Sequence, residues 1–166
     1  MDARDRDSVG RARNARPRDA LGRPLPHGSR GVDRVPEDVT LSPGEVLRQA
    51  QRFIDEDYPF HAHEVLEGVW KSTTGRHREL WQGLAQLSVG LTHVQRGNSK
   101  GAVTLLRRGA DRIDPYAADA AESVDVVGLV RYARSLAARI ERDGLDAVLP
   151  VDLRPRLVLV SGGRPA

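Results

Sequence analysis

The sequence contains no cysteine, so disulfide frameworks, thiolate metal sites and cysteine nucleophiles are all excluded. It also lacks long apolar runs. The first 30 residues contain no stretch that could form a signal-peptide core, and no later stretch approaches the roughly 18 apolar residues of a membrane span. We therefore expect a cytoplasmic protein with no membrane segment. With 166 residues, 39% of them apolar, the chain fits one domain of ordinary size.

The sequence has little excess charge of either sign, although its pI is about 9.8. Residues 1–40 contain nine Arg and seven acidic residues, and the rest of the chain contains 17 basic and 16 acidic residues. A nucleic-acid binder usually clusters Lys and Arg on one face, together with aromatic residues that stack on bases. This distribution argues against a nucleic-acid partner. One set of residues comes near to a basic cluster, and we interpret it as a solvated helix face. It consists of Arg96, Lys100, Arg107, Arg108 and Arg112.

Residues 1–41 have the composition of a disordered tail rich in Arg, Pro and Gly. They contain four prolines and four glycines among mixed charges. Almost no periodic apolar positions are present that could offset the entropy of ordering the segment. Acidic residues are interleaved with the arginines, which weakens any attraction of the tail to an acidic partner.

Apolar residues at helical spacing predict five helices between residues 42 and 144. The first begins at Ser42, where Ser-Pro-Gly-Glu has the pattern of a capping box, and runs to about residue 57. The second runs from 60 to about 72 and the third from about 77 to 96. Gly97 and Asn98 then make a tight turn into the fourth helix. The fifth has Ser123 as its N-cap and stops at Gly144.

These elements predict an all-α fold, a compact bundle of about five helices over residues 42–144. Residues 145–166 contain prolines and few periodic apolar positions, so we expect an extended C-terminal segment. The run RLVLV near its end is a candidate for a short strand or for an extended stretch lying on the bundle.

Polar side chains interrupt the apolar face of the second helix. His63 and Glu67 are one turn apart on that face, Glu64 lies at its edge, and His61 points to the opposite side, where we expect solvent. A His and a Glu on an apolar face must be paired, because a lone buried charge costs several kcal/mol.

The third helix is uncharged nearly all round, which is typical of a central helix packed on more than one side. Gly83 and Gly90 would let a neighbouring helix approach its backbone closely. If that neighbour is the second helix, the polar side chains of the two helices meet. The predicted polar cluster then consists of His63, Glu64, Glu67, Gln82, Gln86 and His93.

Three strings in this region resemble the uncharacterised family catalogued as domain of unknown function 309. They are AHEVLEGVW, WQGLAQLSVGLTHVQRGN and GAVTLLRRGADRI, and the resemblance covers about residues 53–113. The resemblance implies a small all-helical domain and brings no reaction, ligand or cofactor with it. Besides the cluster, the motif includes Trp70, Gly83, Arg96, Gly97, Asn98, Gly101 and Ala102.

Two interpretations of the cluster remain open. In the first, the cluster is a buried hydrogen-bond network that fixes helix register in a binding or scaffolding module. In the second, His63, Glu64, Glu67 and His93 bind a metal ion or small ligand, or serve a hydrolase-type enzyme. HEVLE resembles the HExxH zinc signature but has Glu67 where the second His is required.

No phosphate-binding glycine loop or serine nucleophile elbow accompanies the cluster, so the sequence favours a protein that is not an enzyme. No cofactor is implied. A protein partner or self-association is compatible with the sequence, but no specific partner can be named.

Overall fold

Five α-helices make up most of the computed structural model, which describes residues 18–19, 21–23, 31, 41–119 and 123–158. The predicted all-α bundle is confirmed, and each helix begins and ends within about two residues of its predicted position. The helices are α1 (Pro43–Asp55), α2 (Pro59–Ser72), α3 (Arg78–Gln95), α4 (Ser99–Ile113) and α5 (Val126–Asp143). Short 3-10 helices lie at Asp114–Tyr116, Leu145–Ala147 and Pro150–Leu153.

Local hydrogen bonds set the predicted helix boundaries. The backbone N–H of Ser42 donates to Oε2 of Glu45 at 2.8 Å, and Oγ of Ser42 accepts from the backbone N–H of Glu45 at 3.3 Å. This capping box begins α1. Between α3 and α4, Gly97 has a φ of +74°, and Oδ1 of Asn98 accepts from the backbone N–H of Gly101 at 2.9 Å. Glycine enters the left-handed region at little cost, so the chain reverses here within a few residues.

The N-cap of α5 is Asp125, not Ser123 as the sequence analysis expected. Oδ1 of Asp125 accepts from the backbone N–H of Gly128 at 3.0 Å. Both residue types are good caps, so local preference could not separate them. An antiparallel bridge between Val124 and Val158 separates them instead, because it holds residue 124 outside the helix.

The α3 helix occupies the centre of the bundle and packs against both α2 and α4. Gly83 and Gly90 do allow a close approach, but the neighbour that uses it is α4 and not α2. A Cβ at Gly90 would lie 2.9 Å from Cγ of Leu106, and one at Gly83 would meet Ile113 well inside 3.0 Å. The contact of α3 with α4 therefore requires glycine at these two positions of α3.

The C-terminal segment is tied to α1 through the buried side chain of Gln51. Its Nε2 donates to the carbonyl of Pro155 at 3.0 Å, and its Oε1 accepts from the backbone N–H of Leu157 at 2.8 Å. Leu157 itself is buried in the core. In the described part of the RLVLV run, residues 156–158, the structure has a single bridge at Val158. Residues 159–166 lie outside the described part of the chain.

Most of the expected disordered tail, residues 1–41, also lies outside the described part of the chain. Residues 18–19 and 21–23 are described and form a short turn, which we call the N-terminal turn. This turn rests on Phe60 of α2 and on Arg96, which follows α3.

Candidate functional site

The polar residues of α2 form a ladder along one side of the helix. Nε2 of His63 lies 3.1 Å from Oε2 of Glu67, and Nζ of Lys71 lies 2.7 Å from Oε1. The hydrogen bond from His63 is the largest influence on the pKa of Glu67, which falls to about 2 even though burial opposes the shift. Lys71 lowers the same pKa further. Glu67 is therefore a carboxylate at neutral pH, which makes it a poor general acid.

The imidazole of His63 has no ring nitrogen that is accessible to a ligand. Its Nε2 bonds to Glu67, and its Nδ1 is closed to solvent without a hydrogen-bond partner among the described residues. The ring lies beside Phe60, with the two ring centroids 5.5 Å apart. A general base or metal ligand needs a nitrogen that the substrate or ion can reach. The geometry instead suits a side chain that orients its neighbours.

The expectation that His61 faces solvent is wrong. Its side chain is 2% exposed and lies among the rings of Phe53, Tyr58 and Phe60, at centroid distances of 5.6, 5.9 and 5.9 Å. The helical wheel gave α2 a single buried face, but α1 packs on a second one. Glu64, expected at the edge of the apolar face, is half-buried, and its Oε1 is closed to solvent.

The two glutamines of α3 bond to α4 rather than to α2. Nη1 of Arg112 donates to Oε1 of Gln82 at 3.0 Å, and Nε of Arg112 donates to Oε1 of Gln86 at 3.0 Å. The same guanidinium pairs with the carboxylate of Glu79. The planar guanidinium group of Arg112 thus binds three side chains on successive turns of α3, those of Glu79, Gln82 and Gln86. Gln82 and Gln86 were expected to meet His63 and Glu67, but their described hydrogen bonds join α3 to α4.

His93 belongs to the turn between α3 and α4. Its Nδ1 lies 3.1 Å from Nδ2 of Asn98, the residue whose Oδ1 caps α4. Burial lowers the pKa of His93, and the nearby charge of Arg96 lowers it further. A neutral imidazole can accept from the Asn98 amide, so the two side chains together fix the turn. Gly101 leaves room for them, because a Cβ there would lie 2.6 Å from Nδ2 of Asn98.

The remaining motif residues have packing roles. Trp70 is half-buried under Arg78, whose guanidinium carbon lies 5.2 Å from the ring centroid. Ala102 is fully buried in α4.

Five residues of the predicted cluster therefore fall into three separate groups: His63 and Glu67 in the ladder on α2, Gln82 and Gln86 in the Arg112 contact between α3 and α4, and His93 in the turn at Asn98. Glu64, the sixth, also lies on α2. Across the described ranges, no three His, Asp or Glu side chains form a group that could hold a metal ion. His63, Glu64, Glu67 and His93 accordingly do not form a four-ligand set.

Sequence reasoning did not assign two of the residues that connect the helices. Arg112 was counted as part of a solvated face, although its position opposite the Gln82 and Gln86 stripe in the hairpin was a usable signal. Gln51 lies among apolar neighbours in α1, and an amide in such a place usually has a hydrogen-bond partner. Besides Asp55, one turn away, its partners Pro155 and Leu157 lie more than 100 residues along the chain, so no local pattern identifies them.

Five packed helices with polar side chains paired between them define a small all-α bundle. Residues 47–105 match the family model described as "Domain of unknown function (DUF309)". This match covers most of the region that carries the motifs, so the predicted resemblance to this family is confirmed. No curated protein and no solved structure matches the chain. Within the described residues, no helix is long and apolar enough to cross a membrane.

Proposed function

We propose that this domain is a helical binding or scaffolding module and that its His, Glu and Gln side chains stabilise the bundle. The observation that carries the proposal is the guanidinium of Arg112, which bonds to Gln82 and Gln86 and pairs with Glu79. These contacts use the polar groups of α3 to fix the register of α3 against α4. Polar groups satisfied in this way favour a structural role over a chemical one.

The α2 ladder supports the same conclusion. Glu67 accepts hydrogen bonds from residues one turn before it and one turn after it. Pairs at this spacing stabilise a helix by a few tenths of a kcal/mol each. They also hold His63 in one orientation against Phe60.

A second candidate is a metal- or ligand-binding protein, or a hydrolase-type enzyme, that uses His63. One observation favours it, because a carboxylate bonded to an imidazole is the arrangement that orients a catalytic or ligating histidine. It would require Nδ1 of His63 to become accessible through movement of the side chains that cover it.

The test is elemental analysis of protein purified without a His-tag, combined with thermal melts in the presence and absence of a chelator. We expect substoichiometric metal, a melting temperature that the chelator leaves unchanged, and a lower melting temperature for His63→Ala. Exposed Lys100 on α4 provides the control variant Lys100→Ala, which should melt like the wild type. Stoichiometric metal whose removal lowers the melting temperature would support the second candidate and overturn the first.

A further inference from the structure

The N-terminal turn is closed by its own hydrogen bonds. Oδ1 of Asp19 accepts from the backbone N–H groups of Leu21 and Arg23, both at 2.9 Å. The carbonyl of Asp19 accepts from the N–H of Gly22 at 3.0 Å, and Nη1 of Arg18 donates to the carbonyl of Gly22 at 2.5 Å. An Asp side chain that bonds to the following backbone is a strong local turn former. Local hydrogen bonds therefore stabilise the turn in addition to its contacts with the bundle.

The turn fits a surface formed by Phe60 and Arg96, which we call the Phe60–Arg96 surface. The guanidinium carbons of Arg18 and Arg96 lie 4.9 and 5.5 Å from the Phe60 ring centroid. Nε of Arg96 donates to the carbonyl of Leu21 at 2.9 Å. The turn thus contributes a cation and a carbonyl, and the bundle contributes an aromatic ring and a directed N–H donor.

Gly22 gives this contact its selectivity. It is buried, its φ is +75°, and a Cβ at this position would lie well inside 3.0 Å of three carbons of the Phe60 ring. Any other residue would combine backbone strain with a collision against the Phe60 ring. Glycine is therefore required for two reasons: the turn needs a positive φ at this position, and the Phe60 ring leaves no space for a Cβ.

We propose that the Phe60–Arg96 surface is a peptide-recognition site and that the chain's own N-terminal turn is its resident ligand, bound in cis. The partner that fits this chemistry is a glycine-containing tight turn with an arginine four residues before the glycine. This inference rests on the proposed binding function and names the surface that performs it. A partner segment of the same chemistry must displace the resident turn before it can bind.

Covalent linkage makes weak recognition sufficient. Covalent tethering can raise the local concentration of a segment to about the millimolar range. Residues 24–40 connect the turn to the start of the bundle, so an intrinsic dissociation constant near or below that concentration keeps the site mostly occupied. The local concentration of the turn divided by its intrinsic dissociation constant also determines how strongly the resident turn reduces the affinity of the site for a partner.

The first experiment compares the full-length wild type, Gly22→Val and Gly28→Val by NMR. In the wild type, one Hα of Gly22 points at the Phe60 ring, so its resonance should be shifted upfield from that of an unstructured glycine. The shift should disappear in Gly22→Val with the helix resonances unchanged, and it should persist in Gly28→Val, which alters a tail glycine outside the turn. Arg96→Lys keeps the charge but removes the Nε donor, and it should reduce the Gly22 shift.

The second experiment titrates a synthetic peptide with the sequence of residues 16–25 into the wild type and into Gly22→Val. We expect the variant to bind at least about tenfold more tightly, with shifts at Phe60 and Arg96, and we expect no binding by the peptide that carries Val in place of Gly. An unshifted Gly22 resonance in the wild type would overturn the docking. Absence of peptide binding to Gly22→Val at millimolar concentration would overturn the recognition site.

A Gly22 shift that grows with protein concentration would show that the turn docks on a second copy, which contradicts binding in cis. None of these outcomes affects the metal content or the chelator response of the protein. Failure of this inference is therefore distinguishable from failure of the proposed function.

Discussion

The contact between α3 and α4 can be tested with a single methyl group, by replacing Gly83 with Ala. A Cβ at Gly83 would collide with Cγ2 of Ile113 and would lie 3.2 Å from the carbonyl of Gly109 and 3.3 Å from Cβ of Arg112. Ile113 is β-branched and fully buried, so its side chain has little freedom to move away. Overpacking of this kind costs about 1–3 kcal/mol.

The chain offers a matched control in Gly68 of α2. It is exposed, and a Cβ there would have no atom within 4 Å. Gly68→Ala should therefore show only the gain in helix propensity, which is about 0.5–1 kcal/mol. After that gain is subtracted, Gly83→Ala should lower the free energy of unfolding by up to about 2.5 kcal/mol, with a central expectation of about 1 kcal/mol.

Urea denaturation followed by circular dichroism measures both variants against the wild type. The two midpoints should move in opposite directions, Gly68→Ala upward and Gly83→Ala downward, with similar slopes. If Gly83→Ala were as stable as Gly68→Ala, the two helices would not be in the close contact that brings Arg112 to the glutamines of α3.

Three further predictions concern polar contacts. Gln51→Ala leaves the buried N–H of Leu157 without its acceptor, so we expect a loss of about 1–3 kcal/mol and faster hydrogen exchange at that amide. The pKa of Glu67 is lowered from 4.5 to about 2, so its contribution is complete above pH 4.5 and is lost as the pH falls towards 2. Allowing for solvent screening, Glu67→Gln should reduce acid sensitivity in that window by about 1 kcal/mol, measured by urea melts from pH 5 to 2. Arg112→Ala should cost about 1–2 kcal/mol and Arg112→Lys should recover little of it, whereas exposed Arg108→Ala should stay within about 0.5 kcal/mol.

The parts of the fold that depend on neighbouring residues could be predicted from the sequence. Ser42 and Glu45 are three residues apart, and Gly97, Asn98 and Gly101 lie within five residues of one another, so their hydrogen bonds follow from spacing alone. The N-cap of α5 could not be assigned in this way. The choice of Asp125 over Ser123 depends on a bridge to residue 158.

The candidate site was harder to predict because its contacts are not local. Periodicity correctly put His63 and Glu67 on one side of α2, where they bond to each other. It could not show that α1 covers the opposite side, which buries His61. It also could not show which helix faces the glutamines of α3, because the pattern fits α2 and α4 equally well. The close approach of Gly83 to Ile113 and Gly109 identifies that helix as α4.

The bonds of Gln51 also bear on how the protein forms during synthesis. The side chain that accepts the N–H of Leu157 is made 106 residues earlier, when its partner does not yet exist. The α1 helix and the bond from Gln51 to Asp55 can form early, but the bonds of Gln51 to Pro155 and Leu157 must wait until those residues leave the ribosome. The bonds between the first helix and the C-terminal segment are therefore among the last contacts of this bundle to form. Shortened chains that end before residue 155 should retain helical content yet lack a fully closed core.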